Sequence, residues 1–219
     1  MGKFIVIEGL DGSGKSTQGE LLRRHYEESG KKVRVLSFPC YNTPGCTLVE
    51  MYLSGKLGDK ASDTNGYAAS MLFASDRYVS FVTDWKKDWE DPDTVLISTR
   101  YTTSNAYHQL SKTDEAEWDQ FLTWLCDFEF VKLGLPAPDK VVFLEMPQQH
   151  SSKKVEERCK ETGAVKDIHE KDAEYLRRCY DAAMYTAEKL NWDVINCAPD
   201  GVQRSKEEIS QILINIIDN

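Results

Sequence analysis

The chain has 219 residues, of which 41% are hydrophobic and 29% are charged, a composition that suits one globular domain and excludes fibrous and disordered proteins. Its 27 basic and 36 acidic side chains leave a net charge of −9, the wrong sign for a protein whose whole surface binds nucleic acid or an anionic membrane. No apolar run approaches the ~20 residues that span a bilayer, and Glu8 and Asp11 come too early for a secretory leader, so we expect a cytoplasmic protein.

Five short apolar runs predict the strands of a sheet, and helical segments separate them. The first run, Lys3–Glu8, ends at a glycine cluster and is followed by a helical stretch, Lys15–Ser29. The later predicted elements are a strand at Val33–Phe38, a long helix at Asn65–Trp89, strands at Thr94–Ser98, Lys140–Met146 and Trp192–Cys197, and an amphipathic helix at Ser205–Ile217. This alternation predicts one α/β domain over residues 1–219, with a mostly parallel sheet covered on both faces and ligands at the carboxyl ends of its strands.

The six cysteines are scattered along the chain, at Cys40, Cys46, Cys126, Cys159, Cys179 and Cys197. They form no C-x-x-C pair and have no histidine at zinc-site spacing. We therefore expect free, structural thiols rather than a disulfide framework or a zinc site.

The glycine cluster between the first strand and the first helix has the sequence GLDGSGKS and fits the phosphate-loop pattern G-x-x-x-x-G-K-S/T. Its glycines let backbone N–H groups point at phosphate oxygens, and the N-terminus of the helix adds partial positive charge. Lys15 is expected to reach the β- and γ-phosphates, and the Ser16 hydroxyl to ligate Mg²⁺. The predicted ATP-binding residues are Gly9, Leu10, Asp11, Gly12, Ser13, Gly14, Lys15, Ser16 and Thr17.

A phosphate loop alone does not distinguish kinases from GTPases or motor ATPases. The chain has no N-K-x-D element of the kind with which GTPases read guanine, and no segment stands out as a switch that a γ-phosphate would order. The GTPase class is therefore disfavoured, and the rest of the chain has to identify the class.

The segment Phe4–Gln18, with Asp11 inside the phosphate loop, resembles the opening of the thymidylate kinases, which phosphorylate dTMP with ATP. Three further blocks are similar to that family: Phe73–Arg77 to its F-A-x-D-R helix, Arg100–Ala106 to its D-R-Y-x-x-S segment, and Pro138–Pro147 to its P-D-x-x-x-x-L-D-x-P strand. The resemblance implies a P-loop kinase fold, three-layer α/β/α with a five-stranded mainly parallel sheet and a short lid. It also implies phosphoryl transfer from Mg-ATP to dTMP by a homodimer.

The resemblance implies that Arg77 and Arg100 hold the 5′-phosphate of dTMP, since a guanidinium matches phosphate oxygens bidentately. Phe73, one turn before Arg77, either stacks on thymine or is a core residue. His108 aligns with a ring that excludes the ribose 2′-OH, and Tyr107 beside it is an equal candidate. The complete predicted dTMP site is Asp11, Phe38, Pro39, Phe73, Arg77, Arg100, Ser104, Asn105, Tyr107 and His108.

A basic stretch at about residues 148–168 resembles the mobile lid of these kinases. Family members without an arginine in the phosphate loop, as here, carry the catalytic arginine in the lid, which implies Arg158. The predicted catalytic residues are Lys15, Arg158, Asp11 and Arg100, and the predicted Mg²⁺ ligands are Ser16, Asp11 and Glu170.

Thr99 departs from the family pattern, in which an Asp commonly precedes the arginine at this position. A hydroxyl supplies a dipole to a metal where a carboxylate supplies a full charge, so another acid has to compensate or activity is weak. Three other functions stay open, and one of them is a nucleoside-monophosphate kinase with another acceptor. A deoxynucleoside kinase would need a carboxylate base near a 5′-OH rather than arginines near a phosphate, and Thr99 makes a catalytically silent nucleotide-binding protein conceivable.

Overall fold

A five-stranded sheet forms the middle layer of the fold: β1 (Lys3–Glu8), β2 (Lys32–Ser37), β3 (Thr94–Thr99), β4 (Lys140–Glu145) and β5 (Asp193–Asn196). The structure is a computed structural model that describes residues 1–147 and 173–218. The strand order is β2-β3-β1-β4-β5, and all of the pairings between neighbours are parallel. The predicted strands and the parallel sheet are confirmed, and the strand ends differ from the prediction by single residues.

Helices cover both faces of this sheet. In the described residues they are α1 (Lys15–Glu28), α2 (Thr47–Leu53), α3 (Gly66–Ser80), α4 (Lys86–Glu90), α5 (Thr102–His108), α6 (Trp118–Cys126), α7 (Ala173–Lys189) and α8 (Lys206–Asp218). A π-helical segment, Phe81–Trp85, joins α3 to α4, so the long helix predicted at Asn65–Trp89 is present with one wider turn inside it. None of the described helices has both the length and the apolar content of a membrane span.

β1 is buried on both faces, and its four apolar residues have no exposed surface. A strand covered on both sides needs apolar residues at successive positions, which explains its unbroken hydrophobic run. Ile5 packs with Leu22 of α1 and Leu213 of α8 on one face of the sheet. Val6 packs with Trp85 on the opposite face, so β1 contributes to the core on both sides of the sheet.

The topology determines where a ligand can bind. β1 lies between β3 and β4 in the middle of the sheet. β2 lies beyond β3 on one side of β1, and β5 lies beyond β4 on the other side. In open parallel sheets, ligands bind outside the carboxyl ends of the strands where the strand order changes direction. The loops that follow β1 and β3 are therefore the expected place for the site.

Candidate active site

A cavity of about 320 Å³ lies at the carboxyl ends of β1, β2 and β3. Its wall is formed by Asp11, Gly12, Gly14, Lys15, Ser16, Thr17, Ser37, Phe38, Thr99 and Arg100. The fold thus brings the phosphate loop together with the end of β2 and with the residues that follow β3. This wall contains most of the predicted phosphate-loop residues. It also contains Phe38 and Arg100 of the predicted dTMP site.

The phosphate loop has the backbone conformation that its glycines predict. Gly9, Gly12 and Gly14 have φ angles of 148°, 79° and 96°, which residues with a side chain rarely adopt. A Cβ at Gly9 would lie 2.5 Å from a side-chain oxygen of the same loop, so a larger residue would displace it. Nζ of Lys15 donates to the carbonyl oxygens of Gly9 at 2.7 Å and Leu10 at 2.9 Å. The ammonium group therefore lies inside the curve of the loop.

Glu8, the last residue of β1, is fully buried and connects the phosphate loop to α5. Its Oε1 accepts from the backbone N–H of Tyr101 at 3.1 Å and from the hydroxyl of Thr103 at 2.5 Å. The Ser104 hydroxyl lies 2.9 Å from both carboxylate oxygens, and the Tyr107 hydroxyl donates to Oε2 at 2.8 Å. Sequence reasoning missed this residue. One sequence signal could have identified it: Glu8 is an acidic residue directly after the apolar run of β1, where a buried charge needs hydrogen-bond partners.

Arg100 lies between β3 and α5 with a φ of 72°, in the left-handed region. Its Nη2 donates to Oδ1 of Asp11 at 2.5 Å. Its Nη1 lies 3.1 Å from Nε2 of His108, 3.3 Å from the Tyr107 hydroxyl and 3.4 Å from the Ser104 hydroxyl. The guanidinium is therefore fixed on one side by the phosphate loop and on the other by α5.

The charges of the cavity wall act on one another. Burial by itself would raise the pKa of Asp11, but the positive charges of Arg100 and Lys15 outweigh the burial and hold the pKa of this carboxyl well below its usual range. Burial likewise opposes the charge of Arg100, but Asp11 raises the pKa of the guanidinium above its ordinary value. The wall therefore carries two cations and one anion, a locally positive site that suits a phosphate ligand.

Arg77 lies in the interior and pairs with a buried carboxylate. Its side chain is 2% exposed and is not part of the cavity wall; its Nε and Nη2 donate to the two carboxylate oxygens of Glu129 at 2.7 and 2.6 Å. The expected bidentate geometry is present, but the partner is a buried carboxylate instead of a phosphate. Asn105 donates from Nδ2 to the same carboxylate at 3.0 Å. Of the two predicted phosphate-binding arginines, the structure brings only Arg100 to the cavity.

The other predicted dTMP residues divide between the cavity and the interior. Phe38 lines the cavity and precedes Pro39 across a cis peptide bond. Phe73 is half-buried, and its ring meets the ring of Tyr52 edge-on with centroids 5.9 Å apart, which agrees with the core alternative. Tyr107 and His108 are both buried and neither is in the wall, but they differ in what they contact. Tyr107 donates to the Glu8 carboxylate, whereas the imidazole of His108 contacts Arg100.

The donors for a metal ion are few but suitable. The hydroxyl of Ser16 and the carboxylate of Asp11 line the same cavity, and Thr99 adds an uncharged hydroxyl. Mg²⁺ commonly keeps several waters and takes one or two protein ligands together with substrate phosphates, so this small set fits it. Within the described residues, no three His, Cys, Asp or Glu side chains gather as a metal cluster. The predicted lid, with Arg158, and the predicted ligand Glu170 lie outside the described residues.

The sequence model of thymidylate kinase matches residues 7–209, which is nearly the whole chain. The chain belongs to the thymidylate kinase family. The thymidylate kinase of Mycobacterium tuberculosis (strain H37Rv) is 33% identical over 179 residues, which cover 80% of this chain and 81% of the relative. A probable thymidylate kinase of Thermococcus gammatolerans is 28% identical over 222 residues. This match covers 100% of this chain and 97% of the relative.

A solved structure of thymidylate kinase from Candida albicans has the same fold, with a TM-score of 0.70 at 20% sequence identity. The match covers 99% of this chain and 91% of that one. The family, the P-loop kinase fold and the enzyme class predicted from the sequence are thereby confirmed. This member of the thymidylate kinase family is a nucleoside-monophosphate kinase, in a family that uses ATP as co-substrate.

We expect Glu8→Gln to lower the free energy of unfolding by about 2 kcal/mol, because the amide replaces an acceptor oxygen with an NH₂ group that faces hydroxyl donors. Urea unfolding followed by tryptophan fluorescence measures this loss.

Glu145→Gln is the matched control, because Glu145 ends β4 as Glu8 ends β1. Glu145 is only half-buried, and the hydroxyl of Tyr180 donates to it at 2.6 Å. Its replacement should cost less than about 1 kcal/mol. Equal losses in the two variants would mean that the buried network around Glu8 contributes little.

Proposed function

We propose that this chain transfers the γ-phosphoryl group of ATP to the 5′-phosphate of dTMP, giving dTDP and ADP. The observation that carries the proposal is the position of Arg100, whose guanidinium lies in the wall of the phosphate-loop cavity beside Asp11. A guanidinium there can hold a second phosphate next to the one that the loop binds. Transfer between two nucleotides needs both phosphates side by side in this way.

Each charged group of the wall has a role in this reaction. Lys15 and the backbone N–H groups of the loop hold the β- and γ-phosphates of ATP. Arg100 holds the acceptor phosphate, and the ring of Phe38 offers an apolar surface to the nucleoside. Positioning and electrostatic stabilisation do most of the catalysis, since charge develops on oxygens of the transferred group.

Mg²⁺ would be held by Ser16 and Asp11, with Glu170 as a further proposed ligand, and when bound it neutralises charge on the phosphate oxygens. Arg158 is the proposed lid arginine, which would add a cation to the transferring group. The hydroxyl of Thr99 adds no charge to this set. Asp11 is therefore the carboxylate in the cavity wall on which metal binding depends.

The charge state of Asp11 also argues against a deoxynucleoside kinase. Such an enzyme needs a carboxylate that accepts the proton of a 5′-OH, and a general base works best when its pKa lies near the working pH. The pKa of Asp11 is held well below its usual range by Arg100 and Lys15, which makes it a weak base. An acceptor phosphate is already ionised and needs no such base.

Release of ADP with different acceptors tests the proposal. With Mg-ATP in excess we expect turnover with dTMP and none with dGMP or thymidine. The rate with dUMP, compared with the rate with dTMP, measures how strongly the enzyme distinguishes the two bases. Lys15→Ala should lower kcat at least ~10³-fold, because it removes a charge directed at the transferred group. Lys31→Ala changes an exposed lysine in the turn after α1 and serves as the control.

Two results would replace the proposal. Turnover with thymidine but not with dTMP would identify a deoxynucleoside kinase. ATP binding without turnover of any acceptor would identify a silent nucleotide-binding protein, with Thr99 as the first residue to change to Asp.

The role of Arg100 has a separate test. We expect Arg100→Ala to raise the KM for dTMP at least about tenfold and the KM for ATP less than about threefold, because the guanidinium is assigned to the acceptor. Steady-state kinetics with each substrate varied in turn measure both constants. Arg177→Ala, at an exposed arginine of α7, should leave both unchanged. Equal increases in the two constants would show that Arg100 is not specific to the acceptor.

We infer that the chain forms a homodimer through α3. Tyr67, Met71, Tyr78 and Val82 are 37–46% exposed and recur at helical spacing along α3 and its π-helical extension. An apolar stripe of this kind on an otherwise charged surface suits a symmetric contact in which the same helix of two copies meets.

Light scattering coupled to size-exclusion chromatography tests the dimer. Met71→Asp should yield a monomer, because it places a charge in the middle of the stripe. Val131→Asp is the control, since Val131 is 67% exposed and lies outside the stripe. A wild-type protein that elutes as a monomer at micromolar concentration would overturn the inference.

We also assign the chain to the cytoplasm. Within the described residues, Cys40, Cys46, Cys126 and Cys179 are free thiols. Reducing compartments keep thiols in this state, which supports the assignment.

A further inference from the structure

His108 lies at the end of α5, and its imidazole connects the arginine of the cavity to α7. Its Nε2 is 3.1 Å from Nη1 of Arg100. Nη1 of Arg100 also contacts the hydroxyls of Tyr107 and Ser104, but at the longer distances of 3.3 and 3.4 Å. On the other side of the ring, Nδ1 is 3.3 Å from the hydroxyl of Tyr175 and 3.5 Å from Sγ of Cys179. The side chain is buried, so both ring nitrogens face protein groups.

The contacts select one form of the imidazole. A guanidinium can only donate hydrogen bonds, so Nε2 facing Arg100 must be an unprotonated acceptor. The Tyr175 hydroxyl donates to the carbonyl oxygen of His108 at 3.0 Å, so towards Nδ1 its oxygen acts as the acceptor of Nδ1–H. The arrangement therefore requires the neutral imidazole with its proton on Nδ1.

We propose that His108 is a positioning residue, whose neutral Nε2 holds Arg100 in the orientation that binds the acceptor phosphate. The inference rests on the proposed function, because it concerns the arginine assigned to dTMP. Asp11 accepts from Nη2 and His108 from Nη1, so the two terminal nitrogens of the guanidinium are held from opposite sides. Two such anchors fix both the place and the plane of the group.

The other groups around His108 come from α5, from the residue after β3 and from α7. Arg100 faces it from the end of β3, with the carboxylate of Asp11 beyond, and the ring of Tyr107 lies 4.6 Å away on the same helix. Tyr175 and Cys179 face it from α7, and Lys112 acts on Cys179 from the turn after α5. A proton on Nε2 would remove the acceptor and place a second cation against Arg100.

This role differs from the one that the family resemblance implies for position 108. A ring that excludes a ribose 2′-OH has to present its face or edge to the sugar. His108 is 6% exposed, is not part of the cavity wall, and has both ring nitrogens directed at protein groups. Its influence on the substrate therefore passes through Arg100.

Two variants of His108 separate positioning from packing. His108→Phe keeps a ring of similar size but has no acceptor, and we expect it to raise the KM for dTMP about tenfold while the KM for ATP changes less than about twofold. His108→Gln offers an amide oxygen that can accept from Arg100, and we expect it to restore the KM for dTMP to within about threefold of wild type. Steady-state ADP release measures both constants, and thermal melting reports whether each variant folds.

Rescue by His108→Gln is a readout that simple packing would not produce, because glutamine has no ring and shares with the imidazole only the acceptor that faces Arg100. If His108→Phe does not fold, the comparison of wild type with His108→Gln decides, and the KM for dTMP has to stay within about threefold of wild type.

Three results would overturn the inference while leaving the proposed function in place: an unchanged KM for dTMP in His108→Phe, equal increases for dTMP and ATP, or a KM for dTMP in His108→Gln as high as that in His108→Phe. A wild-type protein without turnover of dTMP would instead overturn the proposed function, and the inference with it.

Discussion

The buried carboxylate of Glu8 is the contact on which the geometry of the site depends. A charge at the end of a fully buried strand costs several kcal/mol unless it is hydrogen-bonded, and here hydroxyl and backbone donors from the start of α5 surround it. The carboxylate also lies near the N-terminus of α5, where the helix dipole favours a negative charge. One side chain of β1 thus holds α5 at a fixed distance from the phosphate loop, and Arg100 lies in the short connection from β3 to α5.

The chain concentrates positive charge in a small volume, against its own net charge of −9. Lys15 and Arg100 both line the cavity, and Asp11 is the only anion of its wall in the described residues. Backbone carbonyls accept from Lys15, and a carboxylate, two hydroxyls and an imidazole nitrogen contact Arg100, so both cations are held in place. An acidic surface with a local cationic cavity selects phosphate by position, not by overall attraction.

The fold was more predictable from the sequence than the site was. The strands and the phosphate loop depend on neighbouring residues, such as the apolar run Lys3–Glu8 and the glycines after it, so local patterns were sufficient. The partner of Arg77 was not accessible in this way, because Glu129 is 52 residues away and a guanidinium presents the same fork to a carboxylate as to a phosphate. The contacts of His108 likewise depend on α7, which lies far along the chain.

The pair formed by Arg77 and Glu129 has a consequence for how this protein can change during evolution. Both side chains are almost completely buried, so replacing either one alone leaves an unpaired charge inside the fold, at a cost of about 3–5 kcal/mol. Loss of Glu129 would also leave Thr102 and Asn105 without the acceptor that they share. Most of the stability of a small protein could be lost in one step. Positions 77 and 129 are therefore expected to vary together or not at all, so the route to a different acceptor lies through Arg100 and its neighbours.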